Sequence, residues 1–172
     1  MRRAWLPFAA LALSAAVPIP TGTWVLRSDG LSRTVAGKTL ALRFGTMRKV
    51  ATATVASVLG KPVESHTAPD CGQGDPMVLV TYRNGLTMQF LKGKFSGWSI
   101  EAPADPALRT DKGITLGATR AAVMKAYPDV EIDDGSLGVM FTSEAGPSGF
   151  LDSMKPNARV TGLYAGETCL IS

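Results

Sequence analysis

The chain repeats itself. Residues 26–31 read LRSDGL and residues 108–114 read LRTDKGI. Behind the first comes LALRFGT (40–46) and an apolar-periodic stretch closing in LGKP (59–62); behind the second comes TLGAT (115–119) and a shorter stretch closing in AYP (126–128). GLTMQF (85–90) then matches LGVMF (137–141), and KFSGWS (94–99) matches RVTGLY (159–164). Landmarks recurring in one order predict two copies of a unit of about 70 residues. The offset is 82 from Arg27 to Arg109 but 68 from Val55 to Val123, so the first copy carries extra residues between its turn and its helix.

Each landmark has a local physical reading. Asp29-Gly30 and Asp111-Lys112-Gly113 predict tight turns, because glycine accepts positive φ and aspartate bonds nearby backbone. Thr46 and Thr119 are expected to cap helices through their hydroxyls. In the first helix Met47, Val50, Ala51, Val55, Val58 and Leu59 recur with a 3.6 period, and Gly60 and Pro62 end it. In the second, Val123, Ala126 and Tyr127 form a shorter face, ended by Pro128. After the first helix the period changes: Met77 to Arg83 is β-branched and aromatic, followed by the hairpin signals Asn84-Gly85 and Lys92-Gly93. Leu86, Met88 and Phe90 alternate with Thr87 and Gln89, as strands covered on one face do. The expected fold is α+β: two tandem repeats, residues 17–102 and 103–172, each a short helix or helix pair packed on an antiparallel meander, together forming one compact domain.

On these motifs, a G-x-T-type turn, a short helix closing in LGKP and a meander, duplicated, the chain resembles the secreted β-lactamase inhibitory proteins. It is also similar to the single unit of the SmpA/BamE outer-membrane assembly lipoproteins. The resemblance spans most of residues 24–169 and implies the helix-on-sheet fold. It implies no partner, since the chain lacks the lipid-bearing cysteine of the second group and the richer aromatic face of the first.

Residues 1–16 read as a secretory signal peptide cleaved near 16/17: Arg2 and Arg3 precede an uncharged apolar run that ends at Ser14-Ala15-Ala16. Pro18 and Pro20 stop that run short of the roughly 20 residues a membrane span needs. The expected location is therefore exported, periplasmic or extracellular, with no transmembrane segment in the mature chain. Export makes the two cysteines, Cys71 and Cys169, an expected disulfide. Closing so long a loop is worth roughly 4 to 5 kcal/mol on the chain-entropy model. Charge divides along the chain: residues 27–94 hold 10 basic and 4 acidic side chains, residues 95–172 hold 6 and 10.

A single histidine, His66, narrows the chemistry. It lies in SHTAPDCGQGDP, a loop by composition, so a small secreted hydrolase would have to combine it with Cys71 or with Ser148 of GPSG (146–149). No GxSxG turn presents a serine, and the expectation is a non-catalytic chain with no cofactor. Asp129, Glu131 and Asp133 alternate as in a calcium loop, but Met140 stands where a bidentate glutamate belongs, so DVEIDDG (129–135) reads as a solvated acidic turn and no metal is expected. The basic residues of the first half are scattered without interleaved aromatics, which argues against nucleic acid. What remains is a binding or protein-interaction module of the envelope or extracellular space, with a protein or envelope-polymer partner, or else a structural envelope component. The residues expected at its surface are Trp98, Tyr82, Arg83, Gln89 and Tyr164, the aromatic and arginine types that dominate interfaces. Strand parity leaves open whether Trp98 is core instead.

Overall fold

The computed structural model describes residues 23–71 and 74–169; the expected leader at 1–16 lies outside them. The chain forms β1 (Val25–Arg27), β2 (Gly30–Val35), β3 (Lys38–Arg43), α1 (Arg48–Leu59), β4 (Glu64–Ala68), β5 (Met77–Thr81), β6 (Leu86–Leu91) and β7 (Lys94–Glu101). It continues with β8 (Arg109–Thr110), α2 (Arg120–Ala126), β9 (Glu131–Gly135), β10 (Gly138–Thr142), β11 (Ser148–Leu151) and β12 (Val160–Gly166). The class is α+β, dominated by strand. A smaller sheet has the order β3-β2-β1-β8 and a larger one the order β4-β5-β6-β7-β12-β11-β10-β9. All pairings in the larger sheet are antiparallel, so two four-stranded meanders meet edge to edge at β7 and β12.

Local chemistry explains the turns. Lys92 and Gly93 both take positive φ, 51° and 75°, as a primed hairpin turn requires. Asn84-Gly85 closes β5 to β6 differently: the Gly85 N–H donates to the Tyr82 carbonyl at 3.0 Å, and the Leu86 N–H donates to Asn84 Oδ1 at 3.3 Å. Gly60, with its N–H on the Ala56 carbonyl, ends α1.

Each helix is tied by backbone hydrogen bonds to the start of the strand that closes the following meander. At α1 the Gly45 N–H donates to Phe95 O, Phe95 N–H to Thr46 O and Arg48 N–H to Gly93 O. At α2 the Gly117 N–H donates to Val160 O, Val160 N–H to Ala118 O and Arg120 N–H to Ala158 O. The two patterns place Met47, not Thr46, opposite Thr119. Thr119 caps α2 as expected, its Oγ1 accepting from the Ala122 N–H at 3.1 Å. Thr46 does not cap α1; its hydroxyl donates back to the Arg43 carbonyl, and the N-cap is Met47, with no side-chain bond.

Other expectations shift for similar reasons. GLTMQF lies on β6, the third strand of its meander, whereas LGVMF lies on β10, the second of its own, so these segments are not positional counterparts. KFSGWS and RVTGLY do both lie on closing strands, β7 and β12. The acidic segment expected as a turn is mostly β9, an outer strand of the larger sheet, where carboxylates discourage further pairing. His66, expected in a loop, lies within β4, the other outer strand.

One face of the larger sheet is buried. Tyr82, Leu86, Met88, Phe90, Trp98, Ile100, Phe141, Leu163 and Ala165 share a core with Ala51 and Val55 of α1, Val123 of α2, and Leu26, Leu31 and Leu42 of the smaller sheet. Two polar handles fix this packing. Trp98 Nε1 donates to the Arg27 carbonyl at 2.9 Å, and the Tyr82 hydroxyl donates to the Thr52 carbonyl at 3.3 Å. Cys71 and Cys169 are joined, with Cα atoms 5.4 Å apart, and border a separate small cluster of Ala68, Met77 and Leu79.

Candidate functional site

Side chains alternate across a strand, so the register assigns every residue of the larger sheet to one face. Opposite the core face, Glu64 pairs with Thr81, Thr81 with Thr87, Thr87 with Ser99, Ser99 with Tyr164 and Tyr164 with Ser148. Continuing the register brings Thr142 of β10 beside Ser148, and Thr142 pairs with Glu131. A row of hydroxyls thus crosses both meanders and ends on a carboxylate at each outer strand. The neighbouring row reads Glu101, Gly162, Phe150, Met140, Asp133. Gly162 leaves a gap in it, and Glu101, Phe150 and Gly162 line an open depression of about 400 Å³.

The centre of this face is half-buried. Phe150 and Tyr164 stack at a tilt, ring centroids 5.7 Å apart. Thr81 and Thr87 share a hydrogen bond of 3.0 Å, and Ser99 accepts from Gln89 Nε2 at 3.1 Å. Among the described residues, no hydrogen bond or ring contact ties Thr81, Thr87, Ser99, Phe150 or Tyr164 side chains to a helix or to the smaller sheet. Burial pushes the Tyr164 phenol above its ordinary pKa, with the Ser148 hydroxyl acting in the opposite direction.

One end of the face is covered by the chain itself. After β12 the backbone turns at Gly166 and runs over Gly97, where a Cβ would come within 2.3 Å of the Glu167 carbonyl. The Glu167 N–H donates to the Ser96 carbonyl, the Cys169 N–H donates to Gln89 Oε1, and the cystine fastens the segment to Cys71. The Cys169 N–H donating to Oε1 and the Ser99 hydroxyl accepting from Nε2 together satisfy Gln89, a fully buried amide that would otherwise carry a desolvation cost of about 1–3 kcal/mol.

The expected surface residues therefore separate. Tyr164 lies on the open face. Gln89 points the same way but beneath the 167–169 segment. Trp98 and Tyr82 have 0% and 1% of their surface exposed and belong to the core, so neither can touch a partner in this conformation. Burial pushes the Tyr82 phenol up to about 12. Arg83 is exposed in the Tyr82–Gly85 turn, beside Pro103 and Asp105, away from Tyr164. Ser99, Thr87, Phe150 and Glu101 were absent from the expected set. For Thr87 the signal was the alternation along β6, and for Ser99 and Glu101 the same alternation carried to β7; Phe150 lies on β11, which the sequence did not reveal.

The hydrolytic pairings do not assemble. Cys71 is in the disulfide. Ser148 on β11 is separated from His66 on β4 by five strand steps, roughly 24 Å at about 4.8 Å per step. His66 Nδ1 instead lies 3.3 Å from Glu64 Oε1. Among the described residues no group of three or more acidic, histidine or cysteine side chains is placed to hold a metal ion, and no helix is long and apolar enough to cross a membrane.

The chain matches no family model, no curated protein and no solved structure.

Proposed function

We propose that this chain is an exported, non-catalytic binding module, periplasmic or extracellular, which engages a protein or envelope polymer through the open face of its larger sheet. The observation that carries this reading is the face itself: a continuous row of hydroxyls with the Phe150–Tyr164 ring pair beside it, free of bonds to the helices and the smaller sheet. A sheet face with half-buried aromatics, and with polar groups bonded only within the sheet, is suited to recognition. Export is supported by the leader-like residues 1–16 and by the cystine.

The module is further proposed to be two tandem copies of one helix-plus-meander unit. Support comes from the matched hydrogen bonds at Gly45 and Gly117, and from the mirrored strand order about β7 and β12. That arrangement agrees with the resemblance to the β-lactamase inhibitory and SmpA/BamE-like proteins, which remains part of the proposal.

Pull-down from envelope extract tests the surface. Replacing Tyr164 and Phe150 with alanine should abolish recovery of the partner that the wild-type chain retains. Equal recovery by a folded double variant would remove the open face from the reading.

A further inference from the structure

Charge separates the two sides of the molecule. The eight strands of the larger sheet carry five carboxylates, Glu64, Glu101, Glu131, Asp133 and Asp134, against one basic residue other than His66, Lys94. By register, Glu64, Glu101, Glu131 and Asp133 all stand on the open face, at the ends of its two rows. Lys94 is at the first position of β7, at the end crossed by the 167–169 segment. The cations gather elsewhere: Lys38 and Arg43 on β3, Arg48 and Lys49 on α1, Arg120 and Lys125 on α2.

The carboxylates also differ in how they are compensated. Elsewhere, Asp29 is paired with Arg27 and Arg43 and Asp111 with Arg27, while Asp75 is paired with Lys92 at the end of the sheet crossed by the 167–169 segment. On the open face, Glu101, Glu131 and Asp133 make no ion pair among the described residues, and Glu64 meets only His66. All four are exposed.

We propose that the open face receives a cationic polypeptide segment, one bearing lysine or arginine, laid across the strands along the Tyr164 row. This rests on the binding-module reading and adds the chemical class of the partner. Unpaired carboxylates around a neutral centre select the sign of the approaching charge and speed its encounter. The Phe150 and Tyr164 rings at that centre can take the alkyl stem of a basic side chain or the cation itself.

The test titrates isotope-labelled full-length protein with a short peptide alternating lysine and tyrosine, and with its glutamate-for-lysine counterpart. Amide shifts are read at Thr87, Ser99, Phe150 and Tyr164. The lysine peptide should shift these residues, and the glutamate peptide should not. Its affinity should fall about tenfold between low and high salt, and about tenfold again when Glu101→Gln, Glu131→Gln and Asp133→Asn are combined. These side chains are exposed, so the combined variant keeps its fold. Equal shifts with both peptides would overturn the cationic assignment and leave the binding surface standing. No shift on this face with either peptide would count against both. Salt-sensitive self-association in sedimentation that buries Tyr164 would make a second copy of the chain the occupant and likewise overturn the proposal.

Discussion

Ser99 and Tyr164 face each other across the seam between β7 and β12, and both hold the sixth position of their matched segments, KFSGWS and RVTGLY. A residue pairs with its own counterpart only where a local two-fold axis passes between them, the geometry of an isologous contact. Under the proposed duplication the axis runs through this pair, and the hydroxyl row crosses it unbroken. The candidate surface then belongs to neither unit alone. It exists because two meander edges that would otherwise be exposed are paired with each other, which also removes two unprotected strand edges.

Trp98 should behave as a structural residue. Trp98→Ala opens a cavity in a fully buried site and is expected to cost about 3–5 kcal/mol. Trp98→Phe keeps most of the packing but strands the Arg27 carbonyl, at about 1–3 kcal/mol. Urea unfolding measures both. Near-neutral effects would mean that the indole is not in the core.

The two helix starts predict opposite responses to substitution. Thr119→Ala removes the hydroxyl that accepts from the Ala122 N–H and should destabilise by about 1 kcal/mol. Met47 sits at the equivalent point of α1, 62% exposed and with no capping bond. Met47→Ser supplies the missing oxygen and should stabilise by up to about 1 kcal/mol. Thermal or chemical unfolding of the two variants decides it, and a destabilised Met47→Ser would contradict the assigned N-cap.

What could be read from the sequence was what is decided locally. Gly60 and Pro128 mark the helix ends because they act on their own turn, and Lys92-Gly93 marks its hairpin because only positive φ matches strand twist there. The smaller sheet was hidden, since β1 and β8 are three and two residues long and pair in parallel across a wide separation. The strand β11 was hidden by Gly149, which is needed there because a Cβ would meet the Gly162 carbonyl at 2.4 Å and the Phe141 ring. The face assignment of Trp98 turned on parity. The register shift opposite Gln89 and Phe90 puts an extra residue on β7, so Phe95 and Trp98, three apart, both face the core, and an error of one residue exchanges core for surface.

Asp129 predicts an acid-sensitive loop. Its Oδ2 accepts from the Ala145 N–H, the Ser143 hydroxyl and the Glu144 N–H, and these bonds, the Ala145 one foremost, hold its pKa below the ordinary carboxylate value. A depressed folded-state pKa means that the contribution to stability is present above the unfolded value, near 3.9, and is lost as pH falls through the folded one. Asp129→Asn should therefore lower the unfolding midpoint at neutral pH, by a margin that shrinks on acidification. A carboxyl chemical-shift titration of Asp129 at or above the unfolded value would refute this.

The cystine and the segment it holds give the last prediction. Cys71 and Cys169 are 98 residues apart, so the link restricts much of the unfolded chain, and its loss should cost roughly 4 to 5 kcal/mol on the chain-entropy model. Replacing both cysteines with serine should reproduce that loss in denaturant unfolding, and thiol labelling of the unreduced native chain should find no free thiol. The local effect is separable from the global one. Without the link, the 167–169 segment keeps only its bonds to Ser96 and Gln89, so amide exchange at Glu167 and Cys169 should accelerate more than at Leu163, deep in β12. Gly97→Ala probes the same place with the disulfide intact, because the new methyl group would collide with the Glu167 carbonyl and the Thr168 side chain and lift the segment from the sheet. If exchange rose equally at Leu163 and Cys169 in both variants, the segment would not be an independent cover over Gln89 but an inseparable part of the sheet.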